Sequence, residues 1–283
     1  MTATTSSIPT TTTDGPITAE EKGQVMTTKA VIFDLDDTLM AEGPAYRTCF
    51  LETCRTAHEH YQIEPEELLE ALGRHAELLW RKSGLIEYCR EMGIIWSEGL
   101  WGTFEGDQPN LRSLAEWVPA YRVEAWSKAL ADHGVIDLLL AEELADDFIR
   151  RRRECHELFS EALEVLDHCR SKYSLAMVTN GAPDIQMAKV RAARLEPYFK
   201  SILISGEVGV GKPDPRIFRM ALEQLGVGPE EAVMVGNSLQ RDIRGARNAG
   251  IRAIWMQLDG VKPDDDVEPD AKITNLSQLP ALL

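Results

Sequence analysis

The sequence lacks the features that mark membrane-spanning, secreted and zinc-binding proteins. It contains no run of about 18 apolar residues, which argues against a membrane-spanning helix, and no basic stretch followed by an apolar segment at its start, so a secretory signal is not predicted. Its five cysteines are odd in number and none is spaced as CxxC, which favours neither a disulfide framework nor a zinc knuckle. The sequence therefore predicts a soluble, cytoplasmic protein.

Positive charge is also scarce. The 283 residues include 30 Lys and Arg against 46 Asp and Glu, a formal net charge of −16. Such a surface repels nucleic-acid backbones and anionic membranes, so neither is predicted as a partner. An anionic substrate would need a local cluster of cations or a metal ion, which favours a small ligand in a specialised pocket. The sequence carries no indication of an oligomeric state.

Two different patterns follow each other along the chain. Residues 1–26 are dominated by Thr, Ser, Pro and Gly, which predicts a disordered N-terminal tail. Beyond them, short apolar runs alternate with amphipathic stretches, a pattern typical of parallel strands joined by helices. We therefore predict an α/β fold, a Rossmann-like parallel sheet with helices on both faces. The predicted strands are 30–33, 175–178, 202–204, 232–235 and 253–256, and the predicted helices are 161–172, 183–194, 215–226 and 240–249.

The strand pattern is interrupted between residues 44 and 158, where apolar residues recur at helical spacing. This interval predicts an α-helical cap domain, 44–158, inserted into a catalytic core of 27–43 and 159–283. Pro119 is expected to break one of its helices, because proline removes a backbone donor and clashes with the preceding turn. The predicted cap helices include 66–81, 111–131 and 137–158.

Polar side chains follow the predicted strands where each one ends. They are Asp34, Asp36 and Thr38 after the first strand, Thr179, Asn180 and Gly181 after the second, Lys212 after the third, and Asn237 and Asp242 after the fourth. In an open parallel sheet the loops at the carboxyl ends of the strands converge and carry the reactive groups. We therefore expect these side chains to meet at one edge of the sheet.

Two of these residues, Asp34 and Asp36, are only two positions apart, and their carboxylates repel each other unless a cation intervenes. Mg²⁺ is a hard cation held by a few carboxylates together with water and substrate phosphate. The predicted metal site consists of Asp34, Asp36, Asn237 and Asp242. A metal there would let an anionic carboxylate approach an anionic phosphorus centre.

The remaining polar residues suit a phosphoryl group. Lys212 supplies a second cation, and Thr179 with the backbone amides near Asn180 and Gly181 supplies donors for phosphoryl oxygens. The predicted phosphate contacts are Thr38, Thr179, Asn180, Gly181 and Lys212. These groups together are typical of phosphoryl transfer.

Four segments that contain these residues resemble the four motifs of the haloacid dehalogenase superfamily. They are DLDDT at 34–38, VTNG at 178–181, GKPDP at 211–215 and GNSLQRDIRGA at 236–246. The resemblance extends over nearly all of 29–43 and 160–275, and the helical insertion directly follows the first motif. It implies that Asp34 is the nucleophile, Asp36 the general acid and base, and the insertion a mobile cap that contacts substrate.

The same resemblance implies roles for the other motifs. It places Thr179 and Asn180 at the phosphate, makes Lys212 a catalytic residue that stabilises charge, and assigns the segment 237–242 to the metal. The sequence departs from the superfamily at one position, because Asn237 stands where the fourth motif usually has its first carboxylate. We therefore expect weaker magnesium binding, with Asp242 carrying more of the charge.

The function predicted from these residues is a Mg²⁺-dependent phosphatase that hydrolyses a small phosphorylated metabolite through an aspartyl-phosphate on Asp34. Two alternatives stay open, a phosphomutase of the same superfamily and a non-catalytic binding or regulatory protein that retains the fold. A dehalogenase is disfavoured, because dehalogenases of this superfamily characteristically lack an acid at the position of Asp36. Substrate identity is expected to depend on cap side chains that no motif fixes.

Three further segments contain residues that can serve a binding function. Gly206 to Lys212 matches the first part of a P-loop, but Pro213 stands where that motif needs Ser or Thr, so an NTP site is not predicted. The arginine run 150–153 is interpreted as a solvated helix face near the cap hinge, since four successive helical residues point in all directions. The segment from Trp96 to Phe104 is interpreted either as a substrate-facing loop or as core anchors.

Overall fold

The computed structural model describes Met1, residues 27–262 and residues 266–283. The predicted disordered tail, 1–26, lies outside the described residues apart from Met1. Among the helices that are described, none combines the length and the apolarity needed to cross a membrane.

Six parallel strands form the central sheet, in the spatial order β3-β2-β1-β4-β5-β6. Their bounds are β1 Ala30–Phe33, β2 Ser174–Thr179, β3 Ser201–Ile204, β4 Ala232–Gly236, β5 Arg252–Met256 and β6 Ala271–Ile273. The first five agree with the predicted strands, whereas β6 was not predicted, because its sequence Ala-Lys-Ile is only three residues long and half-polar. The predicted parallel α/β fold is confirmed.

Helices cover both faces of this sheet. Helices are numbered in chain order, and those beside the sheet are α7 Ala162–Arg170, α8 Pro183–Ala192, α9 Ser205–Val208, α10 Pro215–Leu225 and α11 Arg244–Asn248. Successive β1 side chains point to opposite faces, so that Ile32 packs with Phe218 of α10 on one side, and Phe33 packs with Leu166 of α7 on the other. Burial on both faces explains why β1 is apolar throughout.

Among the described residues, six helices lie between β1 and α7, in the interval that was predicted to be a helical insertion. They are α1 Glu42–Tyr61, α2 Pro65–Arg81, α3 Ile86–Met92, α4 Trp96–Gly99, α5 Pro109–Asp132 and α6 Leu138–Glu154. Their apolar faces form one core, in which Phe50, Trp126 and Phe148 are fully buried. The same cluster also includes Ala182 and Ile185 at the start of α8, so the insertion packs against that part of the chain.

The predicted break at Pro119 is wrong. Helix α5 runs without interruption through this position for 24 residues. Extensive packing of the helix against α2 and α6 holds both of its halves in line. Neighbouring Val118 and Tyr121 are buried in that packing, so tertiary contacts outweigh the loss of one backbone hydrogen bond.

The two chain segments that join the helical insertion to the sheet lie side by side. Met40, which precedes α1, forms an isolated bridge with Leu158, which follows α6. The Ala41 N–H donates to the Glu157 carbonyl over 2.9 Å, and the Phe159 N–H donates to the Leu39 carbonyl over 3.0 Å. Both connections therefore emerge next to the end of β1, which places the insertion beside that edge of the sheet.

Candidate active site

Asp34 follows the end of β1 at the centre of the sheet. Its backbone N–H continues the ladder by donating to the Val235 carbonyl of β4 over 3.0 Å. Phe33, the last residue of β1, is in register with Met177 of β2 and Val235 of β4. The sheet order therefore brings the segments that follow β1, β2 and β4 together, as expected for adjacent parallel strands.

Lys212 lies between two buried carboxylates. Its Nζ is 2.6 Å from Asp34 Oδ1 and 2.7 Å from Asp242 Oδ1. It also donates to the Val178 carbonyl over 2.8 Å. Asp34, Lys212 and Asp242 are only 6%, 4% and 0% exposed, so water screens these charges poorly. The structure thus brings together one charged residue from each of the first, third and fourth motifs.

One lysine does not fully compensate the two carboxylates. Burial raises the pKa of Asp34 to about 7, and repulsion from Asp242 and Asp36 adds to this, although Lys212 acts in the opposite direction. Burial lowers the pKa of Lys212, but Asp242 and Asp34 outweigh that effect and hold its pKa above the ordinary value. The centre therefore has a surplus of negative charge that a further cation would offset.

Asp242 can approach Lys212 only because residue 236 is glycine. A Cβ at Gly236 would lie 2.4 Å from the Asp242 carboxyl carbon, far inside any tolerated contact. The Asp242 carboxylate also accepts a hydrogen bond of 2.9 Å from the Ser238 N–H, which fixes its orientation. The fourth motif therefore aims one carboxylate at the lysine of the third.

Asp36 is held by a different cation. Lys189 Nζ of α8 lies 2.9 Å from Asp36 Oδ1, and Gln186 Nε2 donates to Asp36 Oδ2 over 2.9 Å. Burial raises the pKa of Asp36, but the Lys189 charge and the two hydrogen bonds outweigh it, so that the pKa lies below its usual range. Gln186 and Lys189 are three residues apart and share one helix face.

The predicted phosphate contacts have several internal partners. Thr38 Oγ1 donates to Asp34 Oδ2 over 3.3 Å, and Thr179 Oγ1 accepts from Gln186 Nε2 over 2.6 Å. The Gly181 N–H donates to Ser205 Oγ over 2.9 Å. These residues lie at the carboxyl edge of the sheet as predicted, while their roles towards a phosphate remain predictions.

The Asn180 side chain has a clear structural task. Its Oδ1 accepts from the Lys212 N–H over 2.8 Å, and its Nδ2 donates to the Lys212 carbonyl over 2.9 Å. This pair of bonds ties the loop that carries the lysine to the loop after β2. Asn180 therefore positions Lys212, in addition to the phosphate contact predicted from the sequence.

A cavity of about 430 Å³ opens over these groups. Most of the predicted site residues line it; they are Asp34, Asp36, Thr179, Asn180, Lys212, Asn237 and Asp242. The helical insertion supplies much of the opposite wall, through Glu42, Tyr46, Ile95, Ser97, Glu98 and Trp101. A site shared between sheet edge and insertion fits a small ligand, as the sequence predicted.

The donor set of this cavity fits a hard cation in its chemistry. Asp34 and Asp242 offer carboxylate oxygens and Asn237 offers an amide oxygen, and among the described residues no thiol or imidazole lines the wall. Within residues 27–262 and 266–283, however, no three His, Cys, Asp or Glu side chains are placed to share one ion. Direct ligation by Asp36 stays a prediction.

A partly buried charge network links Asp36 to both connections of the insertion. Lys189 Nζ also lies 3.3 Å from Glu42 Oε1, at the start of α1. Glu42 in turn forms an ion pair with Arg152 near the end of α6. Arg152 donates to the Cys155 carbonyl over 2.7 Å and stacks on Trp101 at 4.9 Å from the ring centroid. The charges that surround Asp36 therefore include Glu42 and Arg152, which lie next to the two segments that join the insertion to the sheet.

The interpretation of 150–153 as a solvated face is wrong for Arg152. Its side chain is 0% exposed, whereas Arg150 is largely exposed. A helix that presents four successive arginines directs at least one of them inward. At this position the inward side chain meets Glu42, whose charge makes burial tolerable.

The segment from Trp96 to Phe104 lies between the cavity and the core of the insertion, and its contact with a substrate stays a prediction. Ser97, Glu98 and Trp101 line the cavity, while Phe104 belongs to the core of the insertion. Burial raises the pKa of Glu98 to about 7, with Asp36 and Glu42 contributing and Lys189 opposing. Glu98 Oε2 also accepts from the Ile95 N–H over 3.0 Å, so this carboxyl group is fixed in the wall.

Sequence reasoning missed the residues that hold Asp36. The only signal for Gln186 and Lys189 was a polar pair at a spacing of three on a predicted helix, next to the buried Ile185 and Val190. Polar residues on the inner face of a helix are seldom buried without partners. Glu42, which follows the first motif directly, had no comparable signal, because its partners are 110 and 147 residues away in sequence.

The fold and the arrangement of these motifs define a hydrolase of the haloacid dehalogenase type. The family model of haloacid dehalogenase-like hydrolases matches residues 28–250. The chain therefore belongs to this family, and the recognition and enzyme class predicted from the sequence are confirmed.

Curated relatives align along nearly the whole chain. A phosphoserine phosphatase from Thermus thermophilus is 39% identical over 253 residues, which cover 89% of this chain and 97% of that protein. The human N-acylneuraminate-9-phosphatase is 28% identical, with 90% and 93% covered. These similarities extend through the helical insertion as well as the four motifs.

Solved structures share the fold. The 2-haloacid dehalogenase from Pseudomonas syringae pv. Tomato DC3000 superposes with a TM-score of 0.56 at 30% identity, covering 90% of this chain and 98% of that one. The HAD-hydrolase YfnB from Bacillus subtilis, solved bound to magnesium, gives 0.62 at 22% identity, covering 91% and 99%. The latter similarity concerns the fold alone.

The first prediction concerns the buried lysine that holds Asp36. Lys189→Met leaves the carboxylates of Asp36 and Glu42 without their shared cation, so the free energy of unfolding in urea should fall by about 3–5 kcal/mol. Lys189→Arg keeps the charge and should lose much less. The exposed Lys172→Met is the matched control and should change stability by less than about 0.5 kcal/mol. Equal stability of the Lys189→Met protein and the control would contradict the network.

The second prediction follows from the pKa of Asp34, which rises from 3.8 to about 7 on folding. Between these pH values the folded protein binds more protons than the unfolded chain, so the free energy of unfolding decreases as pH rises. In metal-free protein Asp34→Asn removes this loss. Urea unfolding from pH 4 to pH 8 should therefore show Asp34→Asn gaining stability relative to wild type as pH increases. A constant difference would refute the raised pKa.

Proposed function

We propose that the protein is a Mg²⁺-dependent phosphatase that hydrolyses a small phosphorylated metabolite through an aspartyl-phosphate on Asp34. The observation that carries the proposal is the buried triad of Asp34, Lys212 and Asp242 at the floor of a cavity of about 430 Å³. A second carboxylate, Asp36, lines the same cavity. One carboxylate is thus available as nucleophile and another for proton transfer.

In the first step an Asp34 carboxylate oxygen attacks phosphorus, and the bond from phosphorus to the leaving oxygen breaks. Lys212 offsets the negative charge of the Asp34 carboxylate and of the phosphoryl oxygens near it. Thr38 contacts Asp34 Oδ2 and restricts its orientation. Asp36 in its protonated form, which the second step restores, gives its proton to the leaving oxygen, so that the first product departs as a neutral alcohol and Asp36 is left as a carboxylate.

In the second step water attacks phosphorus, the bond from phosphorus to Asp34 breaks, and the water proton passes to Asp36. Asp34 is thereby restored as a carboxylate and phosphate is released. The first step leaves Asp36 as an anion, and Lys189 and Gln186 stabilise that form until it accepts this proton. The same contacts fix the position of its carboxylate relative to Asp34.

Asp34, Asp242 and Asn237 are the residues whose oxygens would hold Mg²⁺, with Asp36 as a further predicted ligand. When bound, the metal supplies positive charge that neutralises the carboxylates and the substrate phosphate. The surplus of negative charge at Asp34 supports this assignment. The amide at Asn237 is neutral, so Asp34 and Asp242 carry the charge of the site.

Similarity to named phosphatases supports the reaction. The names of the relatives from Thermus thermophilus and human describe phosphatases of small phosphorylated compounds. Both relatives align with at least 89% of this chain. The dehalogenase of known structure shares 30% of residues, but Asp36 favours phosphate transfer, since a second carboxylate has a task only where a leaving oxygen and a water exchange protons.

The third prediction tests the nucleophile. Asp34→Asn removes the attacking oxygen anion, so phosphate release from a panel of phosphorylated metabolites should fall at least about a thousandfold. Activity of the wild type should require Mg²⁺ and disappear on chelation. The exposed Asp167→Asn is the matched control and should retain full activity, with circular dichroism confirming that all three proteins are folded.

Each alternative has its own result in this experiment. An Asp34→Asn protein that retains half of the activity would refute the nucleophile assignment. Phosphate transferred to a second position of the substrate, without release, would identify a mutase. Folded wild type that is inactive at every Mg²⁺ concentration would favour a binding protein.

A further inference from the structure

Three cations line the catalytic cavity, and only two of them are paired by the protein. Lys212 is held by Asp34 and Asp242, and Lys189 by Asp36 and Glu42. The third, Arg241, has no carboxylate within ion-pair distance among the residues that the structure describes. In a chain of net charge −16, an unpaired guanidinium at the wall of a cavity is available to a ligand.

The position of Arg241 is set by the fourth motif. It precedes Asp242 in a π-helical turn, Leu239–Ile243, and its backbone N–H donates to Ser238 Oγ over 3.2 Å. The guanidinium lies against the insertion, since a Cβ at Gly93 would be 3.1 Å from Arg241 Nη1. Its charge therefore stands at the junction of sheet edge and insertion, beside the phosphoryl site.

Neighbouring groups do not compete for this charge. The two cap carboxylates of the cavity are Glu42, which pairs with Arg152 and Lys189, and Glu98, which accepts from the Ile95 N–H. The charge of Arg241 is thus not needed to balance another part of the wall.

We infer that Arg241 binds a carboxylate of the substrate, so that the substrate class is phosphomonoesters that also carry a carboxylate group. A guanidinium presents parallel donors that match the two oxygens of a planar carboxylate. One unpaired cation balances one negative charge, whereas a second phosphate would bring about 1.5 to 2. The inference rests on the proposed phosphatase function and adds the recognition of the leaving group to it.

The experiment uses matched substrates that differ by the carboxylate alone. Phosphoserine is compared with phosphoethanolamine, and phosphoglycolate with methyl phosphate. The wild type should prefer the carboxylated member of at least one pair. Arg241→Gln should lower kcat/KM for that member by about tenfold to a hundredfold, chiefly through KM, since a hydrogen-bonded charge pair is lost. Activity on the member without a carboxylate should change by less than about twofold.

Two further variants separate recognition from general electrostatics. Arg244→Gln removes the same charge one helical turn away, outside the lining of the catalytic cavity, and should leave both substrates unaffected. Arg241→Lys keeps the charge but loses the paired donors, so it should recover only part of the preference. All variants alter side chains that are not fully buried, and their folding is checked by thermal unfolding.

The outcomes are distinct. Equal losses on both members of a pair, or a wild type without preference for the carboxylate, would overturn the role of Arg241 while leaving the phosphatase intact. A stronger dependence on Arg241 for fructose 1,6-bisphosphate than for phosphoserine would overturn the carboxylate assignment. A wild type inactive on every phosphomonoester would overturn the proposed function and this inference with it.

Discussion

The buried lysine between Asp34 and Asp242 is the interaction on which the rest of the site depends. Three strand ends and the loop that follows β3 must converge for these charges to meet, and the order β3-β2-β1-β4 provides that convergence. Because all three side chains are nearly inaccessible, removal of Lys212 would leave two carboxylates uncompensated in a medium where charges are costly. The local requirements, a glycine at 236 and the tie from Asn180 to Lys212, follow from this central arrangement.

A second cation, Lys189, gives the two carboxylates of the first motif different electrostatic environments. Lys212 faces Asp34, and Lys189 faces Asp36, although the two aspartates are separated by a single residue. The opposite pKa directions of the pair, raised for Asp34 and lowered for Asp36, reflect this division. Lys189 is shared with Glu42, and Glu42 with Arg152, so the environment of Asp36 includes both connections of the helical insertion. Movement of the insertion would therefore change the charges around Asp36 but not those around Asp34.

The sequence predicted the sheet and the motifs well, because apolar strands and the polar residues after them are local patterns. Strand β6 escaped prediction because three half-polar residues produce no periodic signal, and Pro119 misled because packing of α5 decides its shape. Lys189 and Arg152 were missed for another reason. Their importance arises from partners more than 100 residues away, and nothing in a single sequence reports such a pairing. Interactions that span the insertion are thus the least predictable part of the site.

The fold itself does not separate the reactions found among its relatives. A dehalogenase and two phosphatases each align with about nine-tenths of this chain, so the distinction must lie in side chains. Carbon–halogen displacement needs one carboxylate, because halide leaves without a proton, whereas an alkoxide leaves readily only when it is protonated. Asp36 is partly buried, oriented and charged beside Lys189, and in the proposed mechanism this arrangement serves proton transfer. In the proposed phosphatase the reaction therefore depends on how Asp36 is held, and substrate choice on the side chains of the cavity wall opposite it.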